Sequence, residues 1–106
     1  MGRRLYTPSV QRALRALGRD IGVARRKRRM ALADFAARMG VSQGTLVRLE
    51  KGEAGVSIGA FAMALLALGE LHRLEDLLDV SRDETGLLLD LDSLPRRIRR
   101  RKPRLG

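Results

Sequence analysis

Apolar residues spaced three or four positions apart predict a long helix near the start of the chain. Thr7 and Pro8 supply an N-cap and a first helical residue, because proline lacks only an amide hydrogen that would be unpaired there. The repeat continues to about Arg28, so one face of this helix is expected to be buried. Gly18 and Gly22 lie within the helix and are expected to weaken it. The residues of the predicted buried face are Val10, Leu14, Leu17, Ile21 and Ala24.

Residues 32 to 51 have a different pattern, which predicts two short helices that meet at a tight corner. Phe35, Ala36 and Met39 share one face of the first helix. Gly40 is expected to end it, because glycine adopts a positive φ without steric cost. Ala36 is small enough to lie where two helices cross closely.

The second helix of this pair is expected from about Gln43 to Glu50, with Ser42 as its N-cap. Leu46 and Leu49 lie three positions apart and should face the core. The residues left on the outer face are Gln43, Gly44, Thr45, Val47 and Arg48. Amide, hydroxyl and guanidinium groups on one exposed face suit a DNA groove, whereas an ordinary helical hairpin is the alternative interpretation.

Two further helices are predicted after the helix stop at Lys51-Gly52. Ser57 can cap a helix that Gly69 ends, and this helix is apolar on several sides, so we expect it to be central. Its inner face is predicted to contain Ile58, Phe61, Leu65 and Leu68. Leucines then predict a short fifth helix over residues 71–79, which has acidic residues on its outer face. The leucines of that helix are Leu71, Leu74, Leu77 and Leu78.

Composition supports an all-α fold. At 106 residues the chain is expected to form one domain, and its three aromatic residues leave a core of small and aliphatic side chains. We predict a five-helix domain over residues 7–79 and a leucine-rich, acidic extension over residues 80–94 that could serve dimerisation or a partner. Within it, residues 86–91 could be a strand, a helical turn or a binding segment. Residues 95–106 form a basic tail that we expect to be disordered in isolation.

Charge is distributed in blocks along the chain. The formal net charge is +10, yet residues 53–94 contain nine acids and only two arginines, while residues 1–29 and 95–106 are strongly basic. A basic excess on both sides of the predicted helix pair favours phosphate as a ligand, although a charged region is often only a solvated surface.

Several function classes are disfavoured. The chain has no cysteine and a single histidine, His72, so neither a metal site nor a nucleophile pair is predicted, and no cofactor or enzymatic activity is expected. The acids Glu75, Asp76 and Asp79 are interpreted as a solvated or partner-facing surface. No apolar run reaches the length of a membrane span, and the start of the chain does not resemble a signal peptide, so we expect a soluble cytoplasmic protein.

Residues 20–69 resemble the Cro/repressor-type helix-turn-helix family, also called XRE. The resemblance covers about half of the chain and implies a five-helix fold and a DNA-binding function. It rests on the following residues: Ile21, Arg25, Leu32 to Ala36, Gly40 to Ser42, Thr45, Leu46, Arg48 to Gly52, and Ser57.

The resemblance also implies roles for individual residues. Positions that face base edges match Gln43, Gly44, Thr45 and Arg48, and glutamine and arginine can read purines there. Positions that contact phosphate match Arg38, Ser42, Lys51 and Ser57. Structural positions match Arg25, Ala36, Gly40 and Glu50, with Arg25 expected to pair with Glu50. The chain departs from the family at Ala31-Leu32, where a threonine cap and a glutamine are common, so one phosphate contact is in doubt.

A second resemblance concerns the partners of the chain. Residues 83–99 look like the C-terminal extension of HipB-type antitoxins, which repress their own operon and bind a HipA-type kinase toxin. We therefore expect a homodimer on a palindromic operator of double-stranded DNA, associated with the bacterial nucleoid when bound, and a possible kinase partner. The alternatives are a repressor without a toxin and a charge-driven, non-specific binder of nucleic acid or of an anionic membrane.

Overall fold

The computed structural model describes residues 5–81 and Pro95, and within these residues all regular structure is helical. Five helices follow one another: α1 (Pro8–Lys27), α2 (Leu32–Met39), α3 (Gln43–Glu50), α4 (Ile58–Leu68) and α5 (Leu71–Glu75). The predicted all-α, five-helix fold is confirmed. The segment predicted at residues 86–91, nearly all of the extension and the basic tail except Pro95 lie outside the described residues.

The chain divides into two compact units, Met1–Leu74 and Glu75–Gly106. The first unit contains α1 to α4 and all of α5 but its last residue, and its core lies where α2 and α3 pack against α1 and α4. Phe35, Met39 and Leu46 are the largest fully buried side chains. Residues that complete this core are Ile21, Ala36, Leu49, Ala64 and Leu68.

The predicted buried face of α1 is wrong at two of its five residues, and Leu14 on the same face is half-buried. Val10 and Leu17 are exposed, and burial along the helix begins at Gly18 and continues through Ile21. For Val10 the reason is length, since the 20 residues of α1 extend about 30 Å, whereas the eight residues of α2 or α3 extend only about 12 Å. The first turns of α1, with Val10, therefore project beyond the helices that cover the rest of it. Leu17 is exposed for another reason, because it lies at the edge of the covered face, whose contacts run through residues 14, 15, 18 and 22.

Gly18 and Gly22, which were predicted only to weaken α1, allow its close contact with the end of α3. A Cβ at Gly18 would lie 2.5 Å from the carbonyl oxygen of Leu49 and 2.7 Å from that of Glu50. Across the same contact, Gly52 has a φ of 77°, and its Cβ would lie 2.5 Å from the Cα of Arg15. The backbone of α1 and the backbone after α3 therefore touch directly.

The helix ends follow the predicted capping residues. The hydroxyls of Thr7, Ser42 and Ser57 each accept a hydrogen bond from a backbone amide in the first turn of their helix. Gly40 and Gly69 end α2 and α4 in the left-handed region, at φ 73° and 76°.

The end of α1 is an exception to the use of glycine. Arg29 takes the left-handed position at φ 57°, and the amide of Met30 donates to the carbonyl of Arg25, which closes a Schellman motif. A side chain with a Cβ is disfavoured in this conformation.

Two predictions for α4 and α5 are wrong. Ile58 is exposed rather than part of the inner face of α4, and the buried residues of that face are Ala60, Ala64 and Leu68. The short helix α5 ends at Glu75, earlier than predicted. Leu77 and Leu78, which were expected to continue its apolar face, are exposed.

Candidate nucleic-acid interface

The corner between α2 and α3 is built from small residues and local hydrogen bonds. Ala36 is almost fully buried at the contact, and its carbonyl accepts a hydrogen bond from the amide of Val41 at 3.1 Å. Gly40 turns the chain at φ 73°, and Ser42 begins α3 two residues later. Leu46 is fully buried beneath the corner. The orientation of α3 relative to α2 is thus fixed within a few residues.

The outer face of α3 carries the residues that were predicted to face bases. Gln43, Gly44 and Arg48 are exposed, and Thr45 is half-buried. A Cβ at Gly44 would meet only the Oγ of Ser42, at 3.8 Å, so the fold itself leaves room for a side chain at this position. The face is therefore open to solvent, and it protrudes least at Gly44, which has no side chain.

A chain of hydroxyl groups connects the N-terminus of α3 with Arg48. The amide of Thr45 donates to the Oγ of Ser42 at 3.1 Å, and the two hydroxyls are hydrogen-bonded at 3.0 Å. Arg48 Nη2 donates to the Oγ1 of Thr45 at 3.3 Å. Because residues three apart lie on the same helical face, this bond holds the guanidinium against the outer surface of α3. The hydroxyl of Thr45 is already engaged within the protein.

Arg25 and Glu50 form the anchor that ties α3 to α1. Arg25 Nε donates to Glu50 Oε2 at 2.8 Å and Nη2 donates to Oε1 at 3.1 Å, while Nη1 donates to the carbonyl of Met30 at 2.9 Å. The side chains of the pair are only 11% and 15% exposed. The hydrogen bond to Glu50 raises the pKa of Arg25, an effect that partial burial opposes and the charge of Glu50 reinforces. The pairing implied by the resemblance is present, and it is bidentate.

Gly22 makes room for this ion pair. A Cβ at this position would lie 3.0 Å from Glu50 Oε1, closer than side chains normally approach. Gly18 and Gly22 are one helical turn apart, and this four-residue spacing was the signal in the sequence that could have identified the contact. The anchor and the two glycines together position α3 from the side opposite to its outer face.

Residues predicted to contact phosphate are all exposed. Arg38 lies in the last turn of α2, and Lys51 follows the last residue of α3. Ser42 and Ser57 cap α3 and α4, and each hydroxyl accepts an amide hydrogen. The hydroxyl of Ser42 also shares a hydrogen bond with that of Thr45. Their contacts with phosphate stay predictions, as do the base contacts above.

The start of α2 lacks a side-chain cap, as expected from the departure at Ala31-Leu32. Ala31 occupies the N-cap position without any side-chain hydrogen bond, and Leu32 packs partly against the core. Immediately before this helix start lie exposed basic side chains: Arg26, Lys27, Arg28 and Arg29. Positive charge is therefore concentrated next to the uncapped start of α2.

Comparison with known protein families gives one match. A family model described as helix-turn-helix, of the Cro/C1 (XRE) type, matches residues 21–84, which is more than half of the chain. Neither a curated protein nor a solved structure gives a significant match. In the part of the chain that the structure describes, no helix combines the length and the apolar character needed to cross a membrane.

Proposed function

This chain belongs to the Cro/C1-type helix-turn-helix family and is a DNA-binding transcription regulator, and from that premise we propose that it is a sequence-specific repressor that binds its operator as a homodimer. The observation that carries the proposal is the outer face of α3, on which Gln43, Gly44 and Arg48 are exposed, while the bidentate Arg25–Glu50 pair ties the end of the helix to α1. A rigid helix with a polar outer face can enter the major groove and present side chains to base edges.

Within this proposal, Arg48 is the principal reader of sequence. Its guanidinium can donate two hydrogen bonds to guanine, and Gln43 can bind adenine through its amide. Thr45 holds Arg48 through a 3.3 Å hydrogen bond, so less side-chain freedom is lost when DNA binds. Gly44 lets the backbone of α3 approach the bases closely. Exposed groups at the edge of this face then fix the register by binding phosphate: Arg38, Ser42, Lys51 and Ser57.

Dimerisation and repression follow from the small size of the reading face. One short helix contacts too few base pairs for useful discrimination in a genome, whereas two copies related by a two-fold axis read two half-sites about 34 Å apart. A dimer bound to such a palindrome would repress transcription where the operator overlaps a promoter. We place this function in the cytoplasm and assign it no catalytic activity or cofactor.

Selection from a pool of random duplexes tests the proposal. The full chain should enrich a palindromic sequence whose half-sites are separated by about one helical turn. The control is the Gln43→Ala, Arg48→Ala double variant, which keeps the capping groups of α3 and should enrich no such sequence. Enrichment of no common sequence by the wild-type chain would contradict specific recognition and favour charge-driven binding.

A second candidate function is that of an antitoxin which binds a HipA-type kinase and represses its own operon. It is supported by the resemblance of residues 83–99, most of which lie outside the described residues, and by exposed leucines beside acidic residues in the second unit. The exposed leucines are Leu77 and Leu78, and the acidic residues beside them are Glu75 and Asp76. Co-expression with the neighbouring gene product tests it: co-purification of a kinase-like protein supports the antitoxin, and a homodimer that ignores this protein supports a repressor without a toxin.

A further inference from the structure

Val47 is an apolar side chain on the otherwise polar outer face of α3. It is half-buried, but within residues 5–81 the half-buried apolar residues that pack against the core include Val41 and Val56 and not Val47. The core contacts of α3 are made by Leu46 and Leu49, which are buried. Packing against the core therefore does not explain the choice of valine at this position.

Valine is also an unfavourable residue for the helix itself. A β-branched side chain loses rotamer freedom in a helix, so valine has a lower helix propensity than alanine. The helix α3 has only eight residues, and two of them, Gly44 and Val47, are of types that disfavour a helix. A residue that opposes its local structure without completing the core indicates a functional position. The same stiffness holds the two methyl groups of Val47 in one orientation, so little freedom is lost when they make a contact.

Val47 lies beside the open space at Gly44. An α-helix advances about 100° per residue, so Val47 leaves the helix about 60° to one side of Gly44 and Arg48 leaves it about 40° to the other side. Among the described residues, a Cβ at Gly44 would have only the Oγ of Ser42 within 4 Å, so neither flanking side chain fills this space. The hydrogen bond from Arg48 to Thr45 directs the guanidinium away from Gly44, because Thr45 lies farther around the same side. The result is a shallow notch with an apolar wall and a cationic wall.

We propose that Val47 contacts the 5-methyl group of a thymine in each half-site of the operator. This deepens the repressor proposed above and rests on it, since it names a base that α3 selects beside those read by Gln43 and Arg48. The 5-methyl group of thymine is the apolar group that bases present in the major groove, whereas the other groups there are hydrogen-bond donors and acceptors. Valine can neither donate nor accept a hydrogen bond, so of these groups only the methyl group matches it. A cytosine at the same position has no methyl group and is selected against.

Deoxyuridine substitution tests the contact, because deoxyuridine keeps every hydrogen-bonding group of thymidine and lacks only the 5-methyl group. Each thymidine in one half-site of the selected operator is replaced in turn, and affinity is measured by fluorescence anisotropy. At one position the replacement should raise the Kd of the wild-type chain about three- to five-fold, which is the effect expected from burial of a single methyl group. An unchanged Kd at every thymidine, or a selected half-site without thymidine, would overturn the proposal.

Val47→Ala identifies the side chain that makes the contact. It should weaken operator binding by a similar factor, and the deoxyuridine that weakens binding of the wild type should have no further effect on this variant. Val10→Ala is the matched control, since Val10 is a 42% exposed valine on α1, and it should change neither the affinity nor the deoxyuridine effect. If Val47→Ala stays sensitive to the same deoxyuridine, another residue contacts the methyl group and the proposal is wrong.

Thermal melts of Val47→Ala separate contact with DNA from packing within the fold. Alanine has the higher helix propensity and Val47 lies outside the core, so the Tm should change far less than that of Leu46→Ala, which removes a fully buried side chain. A fall in Tm as large as that of Leu46→Ala would show that Val47 is a packing residue and would overturn the inference.

Random duplex pools separate this inference from the proposed function. One pool contains thymidine and the other contains deoxyuridine in its place. If the wild type selects a palindrome but deoxyuridine has no effect within it, the Val47 contact is wrong and the repressor stands. If no palindrome is selected, yet the wild type binds the thymidine pool more tightly and Val47→Ala binds both pools alike, the contact stands and sequence-specific repression is wrong. Equal binding of both pools by the wild type, with no sequence selected, would contradict both.

Discussion

Replacement of Gly18 by alanine tests how α1 positions α3, the helix proposed to read DNA. The added Cβ would lie 2.5 to 2.7 Å from three backbone atoms, namely the carbonyl oxygens of Leu49 and Glu50 and the amide nitrogen of Gly52. None of these atoms can move aside without the chain, so α1 and the end of α3 must separate. Overpacking of this kind costs about 1–3 kcal/mol, and the higher helix propensity of alanine offsets at most about 1 kcal/mol. We expect Gly18→Ala to lower the free energy of unfolding by about 1–2 kcal/mol.

Gly44→Ala is the matched control in the outer face of α3. The added Cβ would meet only the Oγ of Ser42 at 3.8 Å, an ordinary contact, and the helical backbone accepts alanine. This substitution should therefore raise the free energy of unfolding by about 0.5–1 kcal/mol. The same chemical change is thus expected to have opposite effects at the two positions.

Urea denaturation followed by circular dichroism measures both effects, and thermal melts provide a check. A change of 1 kcal/mol corresponds to about 4–8 °C in Tm for a domain of this size, so the two variants should differ from the wild type in opposite directions by resolvable amounts. Stabilisation by Gly18→Ala equal to that by Gly44→Ala would refute the direct backbone contact between α1 and the end of α3.

Three further predictions concern binding and stability. Gly44→Ala should weaken binding to the selected operator in a fluorescence anisotropy titration despite its added stability, and unchanged affinity would exclude a close approach of DNA at this position. Arg25→Ala and Glu50→Ala should show a coupling energy of about 1–3 kcal/mol in a double-mutant cycle of urea denaturation, because the pair is bidentate and largely buried. Additive effects of the two substitutions would mean that the pair does not stabilise the packing of α3 on α1. Arg29→Gly should stabilise the fold by about 1 kcal/mol, because glycine adopts the left-handed backbone conformation at this position without the strain of an arginine. Arg28→Gly, at φ −88°, should not stabilise the fold, and equal effects of the two substitutions in thermal melts would contradict this reason.

The helix pair α2–α3 was predictable because its determinants are local. Gly40, Ser42 and Ala36 act within one or two turns of their own positions, through a positive φ, a hydroxyl cap and a small side chain at the crossing. Periodicity likewise identified Leu46 and Leu49 as core residues. The bounds of α3 could therefore be read from the sequence to the residue.

Features that depend on distant parts of the chain could not be predicted in the same way. The spacing of Val10 and Leu17 marks an apolar face but does not say which part of that face the rest of the chain covers. Ile58 fits an inner face by spacing, yet α4 is apolar all round, so periodicity cannot determine which side is buried. Gly18 was interpreted from helix propensity alone, because its contact with residues 49–52 exists only once α1 has packed against α3.

The α3 residues that were predicted to touch DNA fall between these two cases. Their exposure on a single face follows from helical geometry and is observed for Gln43, Gly44 and Arg48. Their chemistry toward bases was inferred from a resemblance and stays a prediction. The hydrogen bond from Arg48 to Thr45 was not anticipated, and it gives Thr45 a second proposed role, holding the arginine, beside the predicted base contact.

The central claim, that α3 reads DNA sequence through Arg48, is tested most directly by a comparison of Arg48→Ala with Lys51→Ala. Affinities for the selected operator and for a random duplex are measured over a range of salt concentrations. Arg48→Ala should lose about 1–3 kcal/mol on the operator and much less on random DNA, so that specificity falls. Lys51→Ala should weaken both duplexes alike and reduce the salt slope by about 1. If the two variants weaken operator and random DNA in the same proportion, Arg48 acts only as a charge and the claim is contradicted.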